Sequence, residues 1–491
     1  MDNGRTYGVP TPPCSNRYLS RRELLFQAGA GISGLALVEL LNREGLLAAG
    51  PPAESPPKSL AKSQPGHFAP RAKAVISLFM TGGVSHIDTF DPKVMLTKHH
   101  GKPLTGKGRI RVRQGYPGPL MASPYKFKKF GQAGIEVSEL FPHVGLIVDE
   151  LALIRSAQGR SNDHVLAHYE WNTGSLLMGL PSVGFWVTYG LGTENQSLPG
   201  FVVIHDPRGG PNAGTINWSN GFLPAGYQGT VFRATGDPIL DLNPPGSVTP
   251  EQQRARLDHL IRLNEEHARK YPDNTELAAR IASYELAYRM QGYAPEVVDI
   301  SQETKTTRQL YGLDDPATEP FGTQCLLARR LVQRGVRFVQ LFNGAKRRSN
   351  VDDWDAHSNL AENHKLHARE VDKPLAGLIK DLKQRGLLDE TLVIWHTEFG
   401  RMPISQRGVG RDHNPGAMTL WMAGAGIRGG QVIGATDEFG YQAIEQPISC
   451  HDIHATILHL LGLDHERLTY LFNGRQVRLT DVYGTLIPQL V

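Results

Sequence analysis

Several short segments gather Asp, Glu and His at a density that suits metal binding or proton transfer. Asp352-Asp353-Trp354-Asp355-Ala356-His357 packs three carboxylates and an imidazole into six residues. Like charges so crowded repel unless a divalent ion relieves them, although a solvated acidic loop is the plain alternative. Ser161-Asn162-Asp163-His164 is followed by His168, four residues on. On a helix these two imidazoles share one face, with one of the preceding polar residues as the cap. His396-Thr397-Glu398 leads to Arg401, and Arg411-Asp412-His413 comes shortly after. Thr81-Gly82-Gly83 precedes His86, Asp88 and Asp91. Glycines there allow close approach of backbone to a ligand, and the acids could equally cap turns. The candidate ligands are Asp88, Asp355, His357, Glu398, Asp412 and His413, and the candidate catalytic groups are His164, His168 and Arg401. Such oxygen and imidazole donors suit zinc, manganese, magnesium or calcium, singly or as a pair. The chemistry that needs this set is hydrolysis or transfer at an anionic ester, where a metal neutralises charge and activates a nucleophile. Cys450–Gly462, which carries His451, Asp452 and His454, reads instead as a structural helix capped around His451 or Asp452.

The elements that must position these residues are apolar runs. Val75–Met80, Leu151–Ile154, Phe201–Ile204, Val336–Phe342 and Thr391–His396 read as buried strands. Between them lie helical patterns at Pro250–Lys270, Asn274–Met290, Phe321–Arg334 and Leu360–Gln384. This alternation predicts an α/β fold, an α/β/α sandwich with a mostly parallel central sheet. Ligands collect at the carboxyl ends of such strands, which is where the acidic and histidine-rich segments fall. No repeat is visible.

The chain has 491 residues, of which 40% are hydrophobic and 20% charged, so it is a globular composition. Three Cys without a CxxC pair exclude a disulfide scaffold, a zinc ribbon and a thioredoxin-type site. Arg21-Arg22 ahead of a mild Gly/Ala-rich apolar run reads as a twin-arginine signal over residues 1–48. That run is too short and too polar for a stable membrane span. Residues 49–70 read as a Pro/Ser-rich linker, and 71–491 as one large domain with a helical insertion near 248–300. The expected location is periplasmic or secreted, with the twin-arginine export machinery as a partner. Between Lys58 and Lys129 there are 14 Lys/Arg and two acids, Asp88 and Asp91. The segment is either a solvated surface or a positive field for anionic substrates. Aromatic residues are not interleaved as nucleic-acid binding requires.

The motifs GGVSHIDTFDPK, YGLDDPATEPFGTQCLLARRLVQRGVRFVQL, WDAHSN, EFGR, GRDHNP and GATDEFGY resemble the secreted family called domain of unknown function 1501. The likeness runs from about Arg21 to the C-terminus. It implies an alkaline phosphatase-like fold, shared with sulfatases and metal-dependent phosphoglycerate mutases. By this resemblance Asn172-Thr173-Gly174 is similar to the end of the sulfatase nucleophile helix, and ten residues before Gly174 stands His164. No Cys-x-Pro-x-Arg or Ser-x-Pro-x-Arg occurs, so no formylglycine forms. The Asp pair after the first sulfatase strand is replaced by Thr81-Gly82-Gly83. Glu398 stands for a metal-binding Asp, with Phe399 in place of the next ligand. Asp355 with His357 resembles the Asp…His pair of the phosphatases, and His413 a later metal His. Asp452 begins what looks like a structural helix.

Three functions compete. One is an exported metal-dependent hydrolase of sulfate or phosphate esters, acting on an anionic small molecule or polysaccharide, with water activated by metal and His164 or His168 as acid or base. The second is a non-catalytic relative that binds anionic glycans or a protein. The third is a metal-dependent mutase or transferase, which export disfavours.

Overall fold

The segment Ala74–Met80 (β1) reads AVISLFM, and every residue in it is buried. Alternate side chains serve opposite faces, so the strand needs cover on both. The structure is a computed structural model. It describes residues 63–491 except 109, 111, 114, 116, 225–226, 228, 234–238, 240–241, 243–247, 271–274, 347–348 and 350–351. The signal region at 1–48 and the linker as far as 62 lie outside the described residues.

The other strands that matter are Ala152–Ala157 (β2), Phe201–His205 (β3), Thr230–Arg233 (β4), Phe338–Asn343 (β5), Thr391–Thr397 (β6), Gly400–Gln406 (β7), Gly410–Asn414 (β8), Met418–Ala423 (β9) and Gln431–Ile433 (β10). Eight form one sheet in the order β10-β2-β9-β6-β1-β5-β3-β4. β1 lies parallel to β5, with Leu78 opposite Leu341, and parallel to β6, with Leu78 opposite Trp395. β9 is the exception, antiparallel to both β6 and β2. The sheet is therefore mostly parallel, as the alternation of helix and strand predicts. β5 begins two residues later than the apolar run, because the Val336 N–H closes the preceding helix onto Leu331 O at 3.1 Å.

The principal helices are His164–Thr173 (α1), Val183–Leu191 (α2), Pro250–Lys270 (α3), Thr275–Val298 (α4), Glu319–Gln333 (α5), Leu360–Gln384 (α6) and Cys450–Leu460 (α7). Ile76, Leu78, Val339, Leu341 and Trp395 join α4, α5 and α6 in one core. Val75, Phe79, Phe342, Ile394 and Leu420 join α1, α2 and α7 in the other. The period-two alternation of the strands thus builds a three-layer α/β/α sandwich. α7 is capped by Ser449, with the expected Asp452 as the other half of the cap. Ser449 Oγ accepts from Asp452 N and the Asp452 carboxylate returns the bond, a reciprocal cap. α3 and α4 pack together, with Arg254 Nη2 2.7 Å from Glu285 Oε1. α4 runs past the expected Met290 to Val298, with Pro295 inside it.

β6 passes through Glu398-Phe399 into the β7–β8 hairpin, in which His413 lies opposite Arg401. Residues 119–121 flank this hairpin: Ser405 N donates to Pro119 O at 2.7 Å and Met121 N to Pro403 O at 3.0 Å. β1, β2, β5 and β6 point the same way, so the segments that follow them meet at one edge of the sheet.

Candidate metal centre

Glu398 leaves β6 with its side chain fully buried. Its oxygens accept from Gly82 N at 2.8 Å, Gly83 N at 3.1 Å and Thr397 Oγ1 at 2.9 Å. A turn this tight over a carboxylate needs glycine. Gly82 and Gly83 have φ of +114° and +80°, and a Cβ on Gly83 would sit 2.6 Å from the Phe399 ring. The glycine pair therefore brings its backbone N–H groups onto Glu398.

Asp163 caps α1, its Oδ1 accepting from Val165 N at 3.1 Å and Leu166 N at 3.3 Å. Gly174, at φ 74°, ends the helix. Both predicted histidines face Glu398. His164 Nδ1 donates to Oε1 at 2.7 Å, and His168 Nε2 lies 3.4 Å from the same oxygen. His168 is fully buried and stacks on Phe79 with centroids 4.6 Å apart.

Four basic groups surround Asp355. Its Oδ1 is 2.7 Å from Arg401 Nη2, 3.0 Å from His357 Nε2 and 3.1 Å from His413 Nε2, and its Oδ2 is 3.6 Å from His164 Nε2. The opposite nitrogen of each ring meets an acceptor: Glu398 for His164, the Asn162 carbonyl at 2.7 Å for His413, and Gln406 Oε1 for His357. These acceptors assign the hydrogen of a neutral ring to Nδ1. Each neutral ring then turns its Nε2 lone pair toward the same carboxylate, acceptor toward acceptor, which a cation between them would relieve; the His164 Nδ1–Glu398 pair is the one that resembles the carboxylate–histidine pairs that orient metal ligands. His164 Nε2 is buried and has no hydrogen-bond partner. Among the described residues, His164–Asp355–His413 and His357–Asp412–His413 each bring one donor atom per residue within 4.8 Å of the others. The donor set and the orphaned nitrogen fit a divalent ion.

Electrostatics agree. Burial works against charge on the Asp355 carboxylate, yet Arg401 and the three imidazoles hold its pKa well below the usual range. Burial also opposes charge on His164, but Asp355 and Glu398 outweigh it and push the imidazole up to about 9. His413 goes the other way, to about 3, because burial dominates and His164 and Arg401 add repulsion. Without an ion the positive charge of this cluster thus sits on the His164 imidazole, and an ion bound at Nε2 would displace that proton.

One predicted site residue, Asp88, stands elsewhere, and another, Arg401, touches the cluster from within the core. Asp88 is not gathered with the ligands: Arg411 Nε lies 2.7 Å from its Oδ2 and Arg411 Nη2 3.2 Å from its Oδ1, in full burial. Arg401 does not face the site as a free cation. It is fully buried and donates to Gly83 O at 2.7 Å, Arg411 O at 3.0 Å and the Asp355 carboxylate. Glu398 meets His164 at Nδ1, on the side of the ring away from Asp355. Asp412 accepts from its own neighbour, His413 N, at 2.9 Å and from Arg113 N, and its Oδ1 is 3.8 Å from His357 Nδ1. Sequence reasoning missed Gln406 and the Asn162 carbonyl as orienting groups. Gln406 becomes legible only through the hairpin that folds it toward His357.

A family model described as "Protein of unknown function (DUF1501)" matches residues 72–491. No curated protein is detectably similar. Similar solved structures include alkaline phosphatase from the Antarctic bacterium TAB5, at 10% identity over 81% of this chain and 99% of that one, with a TM-score of 0.34. A sulfatase from Pseudoalteromonas sp. has 14% identity over 80% of this chain and 68% of that one, TM-score 0.34. A lipoteichoic acid synthase from Listeria monocytogenes has 10% identity over 86% and 78%, TM-score 0.34. No helix among the described residues is long and apolar enough to cross a membrane.

Proposed function

This chain belongs to the DUF1501 family, and we propose that it is an exported, metal-dependent hydrolase of sulfate or phosphate esters. The observation that carries this reading is the convergence of His164, His357 and His413 Nε2 on Asp355, with each Nδ1 held from behind. His164, Asp355, His357 and His413 would hold the ion, with Asp412 beside them. A bound zinc, manganese, magnesium or calcium ion would supply Lewis acidity toward an ester oxygen and activate water.

The chain's own residues prepare that chemistry. Glu398 fixes the ring orientation of His164 and raises its basicity. His168 packs behind Glu398 and acts as a positioning group, with no surface of its own toward a substrate. Arg401 offsets the charge of Asp355 and ties it to the Gly82-Gly83 turn. Phe399 covers the cluster from one side, with ring centroids 4.4 Å from His413 and 4.9 Å from His164, and keeps water from that face. Export follows from Arg21-Arg22 and the apolar run after it, and places the protein in the periplasm or outside the cell.

One observation favours the non-catalytic alternative, a protein that binds anionic glycans or a protein partner. The Thr397 hydroxyl beside Glu398 is fully buried among Met80 O at 2.7 Å, Glu398 Oε2 at 2.9 Å and Val84 N at 3.2 Å, so it offers a substrate no exposed nucleophile. Elemental analysis of the exported protein beside Asp355→Ala separates the readings. Metal in the wild type, lost in the variant, together with turnover of aryl sulfates or aryl phosphates, is the expected result. Absence of metal in both sinks the hydrolase reading.

A further inference from the structure

α1 carries His164 at one end and stops at Gly174, ~15 Å away at ~1.5 Å per residue. Around that far end four segments hold one another. The Gly174 carbonyl accepts from His451 Nε2 at 2.7 Å, and the His451 ring meets Tyr483 with centroids 4.9 Å apart. Two residues before Tyr483, Asp481 pairs with Arg475 at 2.6 Å. Arg475 opens the second strand of a hairpin, Tyr470–Phe472 with Arg475–Val477, and Phe472 stacks on Phe222 at 4.4 Å and 15°. Gly221, beside Phe222, lies so close to the 179–181 backbone that a Cβ on it would sit 2.5 Å from Leu180 C and Pro181 N. That backbone leads back to Gly174. The circuit closes, so segments 175–181, 221–222, 470–475 and 481–483 form one continuous surface.

That surface is apolar where it meets solvent. Leu177, Met178, Leu471, Phe472, Val482 and Tyr483 are 38–72% exposed. Half-exposed side chains of this size present on the order of 100 Å² each, so the six together present on the order of 600 Å². This reaches the top of the range for the largest apolar patch of a typical monomer, about 300–600 Å². It is also most of the about 800 Å² that each partner gives to a standard interface. The edge of the patch carries both signs of charge, Arg475 with Asp481 and Arg478 with Glu466 at 3.2 Å. A balanced edge lacks the excess of Lys and Arg that an anionic lipid surface selects. One face of the Phe472 ring is already taken by Phe222, which removes it as a platform for a sugar or a nucleobase. A second copy of the chain answers both features, because it brings the same apolar area and the same two signs of charge.

We infer that this face joins two copies of the chain in an isologous dimer. The six apolar side chains pack against their equivalents about a two-fold axis, and at the edge Arg475 of each copy faces Asp481 of the other. Polar residues around the patch supply the rest of the contact area. The contact is set a helix length from His164 and does not depend on the hydrolase reading.

Sedimentation equilibrium of the full chain tests this. The mass should be twice that of one chain at about 50 µM, a loading at which a dimer of micromolar Kd is mostly formed. Met178→Glu with Leu471→Glu, both at exposed positions, should give the mass of one chain, because the contact would bury unpaired charge; circular dichroism should be unchanged. Arg475→Asp and Asp481→Arg each set like charges face to face and should weaken the dimer about tenfold or more, while an equimolar mixture of the two variants should recover it. The mass of one chain in the wild type overturns the inference, whether residues 1–62 then cover the patch or the patch binds neutral phosphatidylcholine vesicles. A dimer that survives Met178→Glu with Leu471→Glu, or a mixture that associates as weakly as its components, overturns it too.

Discussion

Glu398→Gln distinguishes an outer carboxylate from a metal ligand. The carboxylate accepts from Gly82 N, Gly83 N, Thr397 Oγ1 and His164 Nδ1. A Gln amide has one acceptor oxygen, so at least one buried donor of this set is left facing an NH2. An unmet buried donor costs about 1–3 kcal/mol. Loss of the negative charge behind His164 also weakens it as a ligand, and changes of this kind cost about 10–100-fold in metal affinity. At about 1.4 kcal/mol per decade, that is about 1.4–2.8 kcal/mol of binding. Asp355→Asn acts on the group that all three imidazoles face and should cost more. Zinc serves as the probe, with affinity read by competition against a chelating indicator and stoichiometry by elemental analysis. Glu398→Gln should keep the wild-type stoichiometry at saturating zinc with Kd raised about 10–100-fold. Complete loss of zinc in folded Glu398→Gln, with wild-type affinity in Asp355→Asn, would refute the reasoning and make Glu398 the ligand.

Arg401→Met leaves the Asp355 carboxylate without its buried guanidinium and should cost about 3–5 kcal/mol in urea unfolding; an unchanged midpoint would mean that the pair contributes nothing. Gly83→Ala places a Cβ at φ +80° and 2.6 Å from the Phe399 ring, so stability should fall by more than about 1 kcal/mol and zinc affinity with it, both measured on one preparation. Asp372 accepts from His143 N at 2.9 Å and Val144 N at 2.8 Å, yet burial outweighs these bonds and pushes its carboxyl up to about 7. A carboxyl whose folded pKa is raised above its unfolded value of about 3.9 favours the neutral form in the fold. Its stabilisation is full below about pH 4 and is lost as pH rises through about 7. The thermal midpoint of the wild type should therefore drop relative to Asp372→Asn between about pH 5 and about pH 8, and parallel curves would contradict the assignment.

The sequence alone determined the layers of the fold and most of the chemistry-bearing segments. Continuous apolar runs such as AVISLFM state burial on both faces, because no alternation leaves a polar side. Helices between them force crossovers, and crossovers force a mostly parallel sheet. The i,i+4 spacing of His164 and His168, with Asp163 as cap, is a local property and survived folding unchanged. What only the tertiary structure decided is which polar atoms face one another. Glu398 and Asp355 are alike in sequence, as acids in segments that follow buried strands. Glu398 is enclosed by two glycine amides and a hydroxyl and turned to the back of His164, while Asp355 lies where three Nε2 atoms meet. Asp88 has the residue type of a site but is taken up by Arg411, and Arg401 is held between backbone carbonyls and the Asp355 carboxylate. Gln406 carries no local signal at all and reaches His357 through the turn of a hairpin. Residue type and spacing fix which groups can bind an ion. Donor and acceptor pairing, set by strand register and turns distant in sequence, fixes which of them face one another.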